Sequence, residues 1–67
     1  MLDARGYSCP EPVIMVRKEL QHSPKECQVM VDNHVAVENI TRFAMHQGYE
    51  VTVTEQGPTF VLHITKK

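Results

Sequence analysis

The sequence predicts an α/β two-layer sandwich, in which a mixed four-stranded sheet carries both helices on one face. Four segments alternate apolar and polar residues, two segments repeat apolar residues at helical spacing, and their order is β-α-β-α-β-β. Strands that alternate in this way have one face in contact with water, so both helices are expected on the other face. The two strand–helix–strand units favour parallel pairing by right-handed crossovers, and the last two strands form an antiparallel hairpin.

A short strand and a proline-marked helix form the first unit. The strand spans residues 2–5 and closes at Gly6. Pro10 and Pro12 indicate the start of the helix, because proline is tolerated in a first turn whose N–H groups have no partner within the helix. The helix continues to about Gln21. Its core-facing stripe consists of Val13, Val16 and Leu20.

The second unit and the closing hairpin show the same patterns. The second strand alternates from Cys27 to Val31, and Asp32 or Asn33 can cap the helix after it. Gly48 suits the end of that helix. The apolar face of the helix consists of Ala36, Val37, Ile40, Phe43 and Ala44. The last two strands direct Tyr49, Val51 and Val53, then Phe60, Leu62 and Ile64, toward the core, and residues 56–58 form the turn between them.

Length and composition describe one small domain that spans residues 1–67. A chain of 67 residues buries only about 60% of the surface that its unfolded form exposes, so the core is thin. A net charge of −1 offers no basic surface, and no direct nucleic-acid partner is expected. The longest apolar run, Val13–Val16, is too short for a bilayer, and no secretion signal is present. We therefore expect no membrane contact and a cytoplasmic location, where Cys9 and Cys27 are reduced thiols rather than a disulfide.

Cys9 is the residue with the clearest chemical role. It lies between the first strand and the start of the first helix, where free N–H groups and the helix dipole stabilise a thiolate. Only the thiolate is a good sulfur nucleophile. Arg5 can add to this stabilisation, whereas the Glu11 carboxylate opposes it. Pro10 and Pro12 stiffen the segment without an evident packing role, which favours a reactive thiol over a cysteine that merely occupies a helix cap.

The other candidate residues give weaker signals. Cys27 lies on the apolar face of its strand and is interpreted as core packing rather than as a resolving thiol. Met15 is expected on the outer face of the first helix, and Met15, Arg17 and Lys18 are candidate partner contacts. A solvated face is the simpler interpretation of these three residues. The four histidines are scattered and no metal-ligand spacing occurs, so neither a metal nor a cofactor is expected.

The residues around Cys9 carry a family resemblance. Leu2-Asp3-Ala4-Arg5-Gly6, Cys9-Pro10-Glu11-Pro12-Val13 and Arg17-Lys18 resemble the signature of the TusA/SirA family of sulfur carriers, which has a Cys-Pro-x-Pro motif at the start of its first helix. The resemblance covers essentially the whole chain. Within the family it is most similar to YedF-type members, on Val31-Asp32-Asn33, Ala36-Val37-Glu38-Asn39 and Gly48-Tyr49-Glu50-Val51. Some YedF-type proteins, linked to selenium metabolism, have a further C-terminal domain, so this chain is expected to be a single-domain member or an excised domain.

The resemblance implies a carrier that accepts sulfane sulfur as a persulfide on Cys9. The implied donor is a cysteine desulfurase or a rhodanese-like protein, and a second protein accepts the sulfur for tRNA thiolation, cofactor assembly or related sulfur or selenium metabolism. This favours a sulfurtransferase-type carrier and leaves open whether the chain is an enzyme. The alternative is a non-catalytic interaction or regulatory module with the same fold. We expect a monomer, because two helices already cover the apolar sheet face.

Overall fold

Helices and strands follow one another in the predicted order. The computed structural model describes residues 2–7, 11–22 and 25–67. Its elements are β1 (Leu2–Asp3), α1 (Glu11–Leu20), β2 (Glu26–Val31), α2 (His34–His46), β3 (Tyr49–Gln56) and β4 (Thr59–Lys66). The predicted elements are confirmed, with ends that agree to within about one or two residues. Neither helix in the described part of the chain is long and apolar enough to cross a membrane.

The strands are arranged in the sheet in the order β1-β2-β4-β3. β1 runs parallel to β2, with Leu2 opposite Val29, and β4 is antiparallel to both β2 and β3. The parallel pairing predicted for the first strand–helix–strand unit is confirmed, but that predicted for the second unit is wrong. β2 and β3 run in the same direction, and β4 lies between them. This inner position buries Leu62 and Ile64 of β4 completely, which an edge position would not.

Both helices cover one face of the sheet, as predicted. Residues that pair across strands share a face, so Cys27, Ile64 and Val51 all point toward the helices. The buried side chains of strands and helices form one apolar cluster: Ala4, Val16, Leu20, Val29, Val31, Ala36, Ile40, Ala44, Tyr49, Phe60, Leu62 and Ile64. This core includes Ala4, which directly follows β1, and Val31, the last residue of β2, so it fixes the carboxyl ends of both strands.

α1 packs on a stripe that begins at Pro12 rather than at Val13. The buried residues of the helix are Pro12, Val16 and Leu20, and Pro12 is one of the fully buried side chains of the core. The inference that Pro12 lacks a packing role is therefore wrong. Because the stripe starts at Pro12, Met15 lies on the flank of the helix and packs against the core. The outer-face position predicted for Met15 is wrong for the same reason.

Asn33, and not Asp32, is the N-cap of α2. The Asn33 side-chain oxygen accepts a hydrogen bond from the Ala36 N–H at 2.8 Å. At the other end, Gly48 follows the helix with a φ of 87°, the left-handed conformation that glycine adopts at low cost. The Asp32 side chain is therefore available for a different contact.

The face of the sheet away from the helices is mostly polar. Gln28, His63 and Thr52 lie side by side across three strands. The Nε2 atom of His63 lies 3.6 Å from a carboxylate oxygen of Glu26. Val61 is a buried apolar residue of this face. Its cross-strand neighbours are Met30 on β2 and Thr54 on β3. Met30 and Val61 form only a small apolar pair among polar residues, which makes this face a poor site for a large apolar interface.

Candidate functional site

The carboxyl ends of the parallel strands β1 and β2 lie side by side, and the chain continues from each strand toward a helix. β1 leads through residues 5–7 toward Cys9, and β2 leads through Asp32 into α2. Cys9 and Pro10 lie outside the described residues. The described residues on either side of them are residues 5–7 and those from Glu11 onward. Glu11, the first residue of α1, is exposed. In open α/β sheets, functional segments commonly meet beyond the carboxyl ends of parallel strands.

The guanidinium group of Arg5 is paired with Asp3. Nε and Nη2 of Arg5 donate to the two carboxylate oxygens of Asp3 at 3.0 Å each, and the Arg5 backbone N–H donates to Oδ1 at 3.1 Å. These hydrogen bonds lower the pKa of Asp3 and raise the pKa of Arg5. The charge of Asp32 also acts on the guanidinium. Because two carboxylates balance its charge, Arg5 is a weaker source of stabilisation for a thiolate at Cys9 than its sequence position suggests.

Asp32 joins the segment before Cys9 to the start of α2. Its Oδ2 atom accepts a hydrogen bond from the Gly6 N–H at 2.9 Å, across 26 residues of sequence. Its Oδ1 atom accepts from the side-chain amide of Asn33 at 3.1 Å. The Gly6 bond is the main cause of a lowered pKa at Asp32. Gly6 has a φ of 83°, which favours glycine there. This contact ties the two strand ends together.

The outer face of α1 combines an apolar and a basic side chain. Ile14 is 36% exposed, and Lys18 lies one turn further along the same face. Ile14 thus takes the outward position that was predicted for Met15. Arg17 is exposed as well. It points to a different side of the helix, where it and Phe43 line an open hollow of about 340 Å³ near the ends of the two helices.

Two exposed side chains flank the contact between Asp32 and Gly6. Tyr7 directly follows Gly6 and is 49% exposed, and Val35, in the first turn of α2, is 57% exposed. Single exposed apolar side chains are common on protein surfaces, so these two are no more than candidate contacts for a partner protein.

Cys27 lies near the amino end of β2, the end of the sheet opposite to the carboxyl ends of β1 and β2. It is a half-buried free thiol that packs against the core, which confirms its interpretation as a packing residue. It also lines an open hollow of about 410 Å³ with Leu2, Glu19 and Glu26. Burial, and then the negative charge of Glu19, raise the pKa of the Cys27 thiol. Neither this hollow nor any other part of the described chain brings together three His, Cys, Asp or Glu residues that could hold a metal ion.

One protein-family model matches nearly the whole chain. The model, described as sulfurtransferase TusA, matches residues 1–66. The chain belongs to the TusA family. The match includes the Cys-Pro-Glu-Pro segment at residues 9–12 together with both helices and all four strands. TusA-family proteins are sulfur carriers, and sulfur carriage implies protein partners that give and take the sulfur.

Individual TusA relatives and a solved structure agree with this assignment. A candidate sulfur carrier protein of Methanocaldococcus jannaschii is 37% identical over 68 residues, which cover 98% of this chain and 91% of the relative. The sulfur carrier protein TusA of Pseudomonas syringae pv. tomato is 34% identical over 71 residues, covering 100% and 83%. The crystal structure of a SirA-like protein from Desulfitobacterium hafniense has a TM-score of 0.86 at 29% identity, over 96% of this chain and 92% of that one. The TusA/SirA resemblance seen in the sequence is confirmed.

Asp32 and Ile14 are candidate site residues that the sequence pattern did not reveal. Asp32 was predicted only as one of two alternative caps for α2. Two successive cap-type residues are a usable signal, because one cap satisfies the helix and leaves the other side chain free for a contact elsewhere. Ile14 becomes recognisable as an outer-face residue once Pro12 is counted as part of the buried stripe.

Proposed function

We propose that this TusA-family protein accepts sulfane sulfur as a persulfide on Cys9 and passes it to a partner protein. The family match over residues 1–66, which includes Cys9, carries the proposal. Further support comes from α1, which begins at Glu11, two residues after Cys9 in the sequence. A helix start presents free N–H groups and the positive end of the dipole, which stabilise a thiolate or a persulfide anion. The buried ring of Pro12 anchors this helix start to the core.

The proposed transfer involves no net oxidation or reduction. The Cys9 thiolate attacks the terminal sulfane sulfur of a donor persulfide, and a new S–S bond forms at Cys9 Sγ. The S–S bond of the donor breaks, and its electron pair stays on the donor's cysteine as a thiolate. In delivery, an acceptor thiolate attacks the sulfane sulfur, and Cys9 leaves as a thiolate. The proton on the sulfane sulfur is retained or exchanged with water.

The proposed partners are proteins of sulfur metabolism. The donor is a cysteine desulfurase or a rhodanese-like protein, and the acceptor serves tRNA thiolation, cofactor assembly or related sulfur or selenium chemistry. Tyr7 precedes the Cys9 segment in the sequence, and Ile14 and Lys18 follow it on α1. All three are exposed and offer apolar and basic contacts to such partners. Transfer takes place in the cytoplasm, where protein thiols stay reduced.

Mass spectrometry after incubation with a cysteine desulfurase and cysteine tests the proposal directly. The wild-type protein is expected to gain the mass of one sulfur atom, and dithiothreitol is expected to remove it. Cys9→Ser should gain no sulfur, because a hydroxyl at this position cannot form a persulfide. Cys27→Ser is the matched control, since it removes the other cysteine and should load sulfur as the wild type does.

Two outcomes contradict the proposal. Sulfur uptake by Cys9→Ser would place the carrier function on another residue. A wild-type protein that takes up no sulfur from several donors, while it remains folded, would favour the alternative of a non-catalytic interaction module.

A further inference from the structure

We propose that Asp32 is a positioning residue for the carrier cysteine, because its carboxylate holds the backbone from which the Cys9 segment continues. This inference rests on the proposed function. The Asp32 Oδ2 atom accepts the Gly6 N–H at 2.9 Å, and Gly6 precedes Cys9 by three residues. Asp32 is called a positioning residue, and not a catalytic one, because its described contacts are with Gly6 and Asn33 and not with a reacting atom.

The Asp32 carboxylate is itself held from the side of α2. The Asn33 amide donates to Oδ1 of Asp32 at 3.1 Å, and the oxygen of the same Asn33 side chain accepts the Ala36 N–H at 2.8 Å. Gly6 is thus connected through Asp32 and Asn33 to the first turn of α2. Since α2 is packed on the sheet through Ala36, Ile40 and Ala44, the chain leaving β1 is tied to a part of the core that lies far from it in sequence.

A purely electrostatic role for Asp32 would have the opposite effect on the thiol. A negative charge close to a cysteine disfavours its thiolate, so the charge of Asp32 would slow sulfur transfer. The described charge that acts on this carboxylate is Arg5, which is already paired with Asp3. A benefit from Asp32 must therefore come through the hydrogen bond to Gly6, and the two effects can be separated by substitution.

Asp32→Ala and Asp32→Asn separate the hydrogen bond from the charge. Both variants lose the negative charge, but only the asparagine keeps an oxygen that can accept the Gly6 N–H. Exchange of the Gly6 amide proton with solvent, followed by NMR, reports whether the bond persists. We expect the Gly6 amide proton to exchange at least about tenfold faster in Asp32→Ala than in Asp32→Asn, because only the alanine variant lacks a side-chain oxygen that can accept the hydrogen bond.

Two functional readouts accompany the exchange measurement. The first is the rate of persulfide formation on Cys9 from a cysteine desulfurase and cysteine. We expect about a tenfold loss in Asp32→Ala and less than about a twofold change in Asp32→Asn. The second is the pH profile of Cys9 alkylation by iodoacetamide, which needs no sulfur donor. The midpoint of this profile should lie about 0.5 pH units higher in Asp32→Ala than in Asp32→Asn. A thiol that is held less firmly near the start of α1 is stabilised less as a thiolate by the helix dipole.

Glu55→Ala is the control for loss of a carboxylate at this end of the sheet. Glu55 is an exposed residue in register with Phe60, and its variant should load sulfur at the wild-type rate.

Equal loading and equal alkylation profiles in Asp32→Ala and Asp32→Asn, despite different Gly6 exchange, would overturn the proposal. If circular dichroism shows that Asp32→Ala is unfolded, the Asp32→Asn variant alone tests the proposal. A sulfur-loading rate within about twofold of the wild-type rate supports the role of the hydrogen bond, and a loss of about tenfold rejects it. If the wild type takes up no sulfur, the proposed function fails, and the alkylation profiles still test the positioning role.

Discussion

Cys27 has surroundings that disfavour a thiolate. It packs against apolar core residues and lines a hollow with the carboxylates of Glu19 and Glu26. Burial and the charge of Glu19 both raise the pKa of its thiol. The proposed carrier, Cys9, differs in that it precedes a helix start, which favours the charged form. The two cysteines of the chain should therefore be chemically distinct.

Alkylation by iodoacetamide at neutral pH should label Cys9 well before Cys27. Only the thiolate reacts, and a raised pKa keeps Cys27 protonated until the pH exceeds the usual cysteine value of about 8.5. The same shift destabilises the fold at high pH, because above that value the unfolded chain releases the Cys27 proton while the folded chain retains it. Peptide mapping by mass spectrometry gives the order of labelling, with urea-unfolded protein as the control. Equal labelling rates in the folded protein would refute the distinction.

α1 depends on its first buried residue, Pro12, as much as on the residues of its last turns. Pro12 is fully buried and begins the stripe that Val16 and Leu20 continue. A proline at the start of a helix usually matters for its backbone alone. Here the ring also fills space in the core, so it fixes the end of α1 nearest to Cys9.

Pro12→Ala should lower the free energy of unfolding by about 2 kcal/mol, through the loss of two buried methylene groups and of backbone restriction in the unfolded chain. Urea denaturation followed by circular dichroism measures this difference. Ile14→Ala is the matched control on the same helix. Ile14 is 36% exposed, and its truncation should cost less than about 1 kcal/mol. A Pro12→Ala variant as stable as the wild type would show that the ring does not contribute to the core.

The elements could be predicted from the sequence, whereas several contacts between them could not. The spacing of apolar residues along the sequence shows whether a segment is a strand or a helix and which of its faces is buried. The place of β4 between β2 and β3 depends instead on packing among distant segments, since a hairpin can join a sheet by either strand. The pairing of Arg5 with Asp3, and the choice of Asn33 over Asp32 as cap, are decided by small differences in geometry that a pattern does not record.

At the scale of the whole molecule, the surface left by the two layers is mostly polar. The helices cover the apolar face of the sheet, and the other face presents polar residues such as Gln28, Thr52 and Thr54 around the apolar pair Met30 and Val61. β3 forms one edge of the sheet over eight residues. Val53 is an exposed apolar residue of this edge strand, and an exposed edge strand can pair with another chain.

We predict a monomer, because a stable dimer requires a larger apolar surface than the described faces offer. Sedimentation velocity over a wide range of protein concentration should give a constant coefficient for a compact single chain. The Cα radius of gyration of 10.5 Å agrees with the value of about 11 Å expected for a folded chain of this length. A concentration-dependent dimer would contradict the prediction, and a Val53→Lys variant would then show whether the β3 edge forms it.

The position of β4 determines how late the sheet can form while the chain is being synthesised. β4 is the last of the four strands to leave the ribosome, yet it lies in the middle of the sheet. Until residues 59–66 emerge, β2 can pair with β1 over only two residues, and β3 lacks the strand with which it forms its ladder. Such late, non-local pairing delays folding until synthesis of the domain is finished. In a nascent chain, therefore, the hydrogen bond between the Gly6 N–H and Asp32 forms only late.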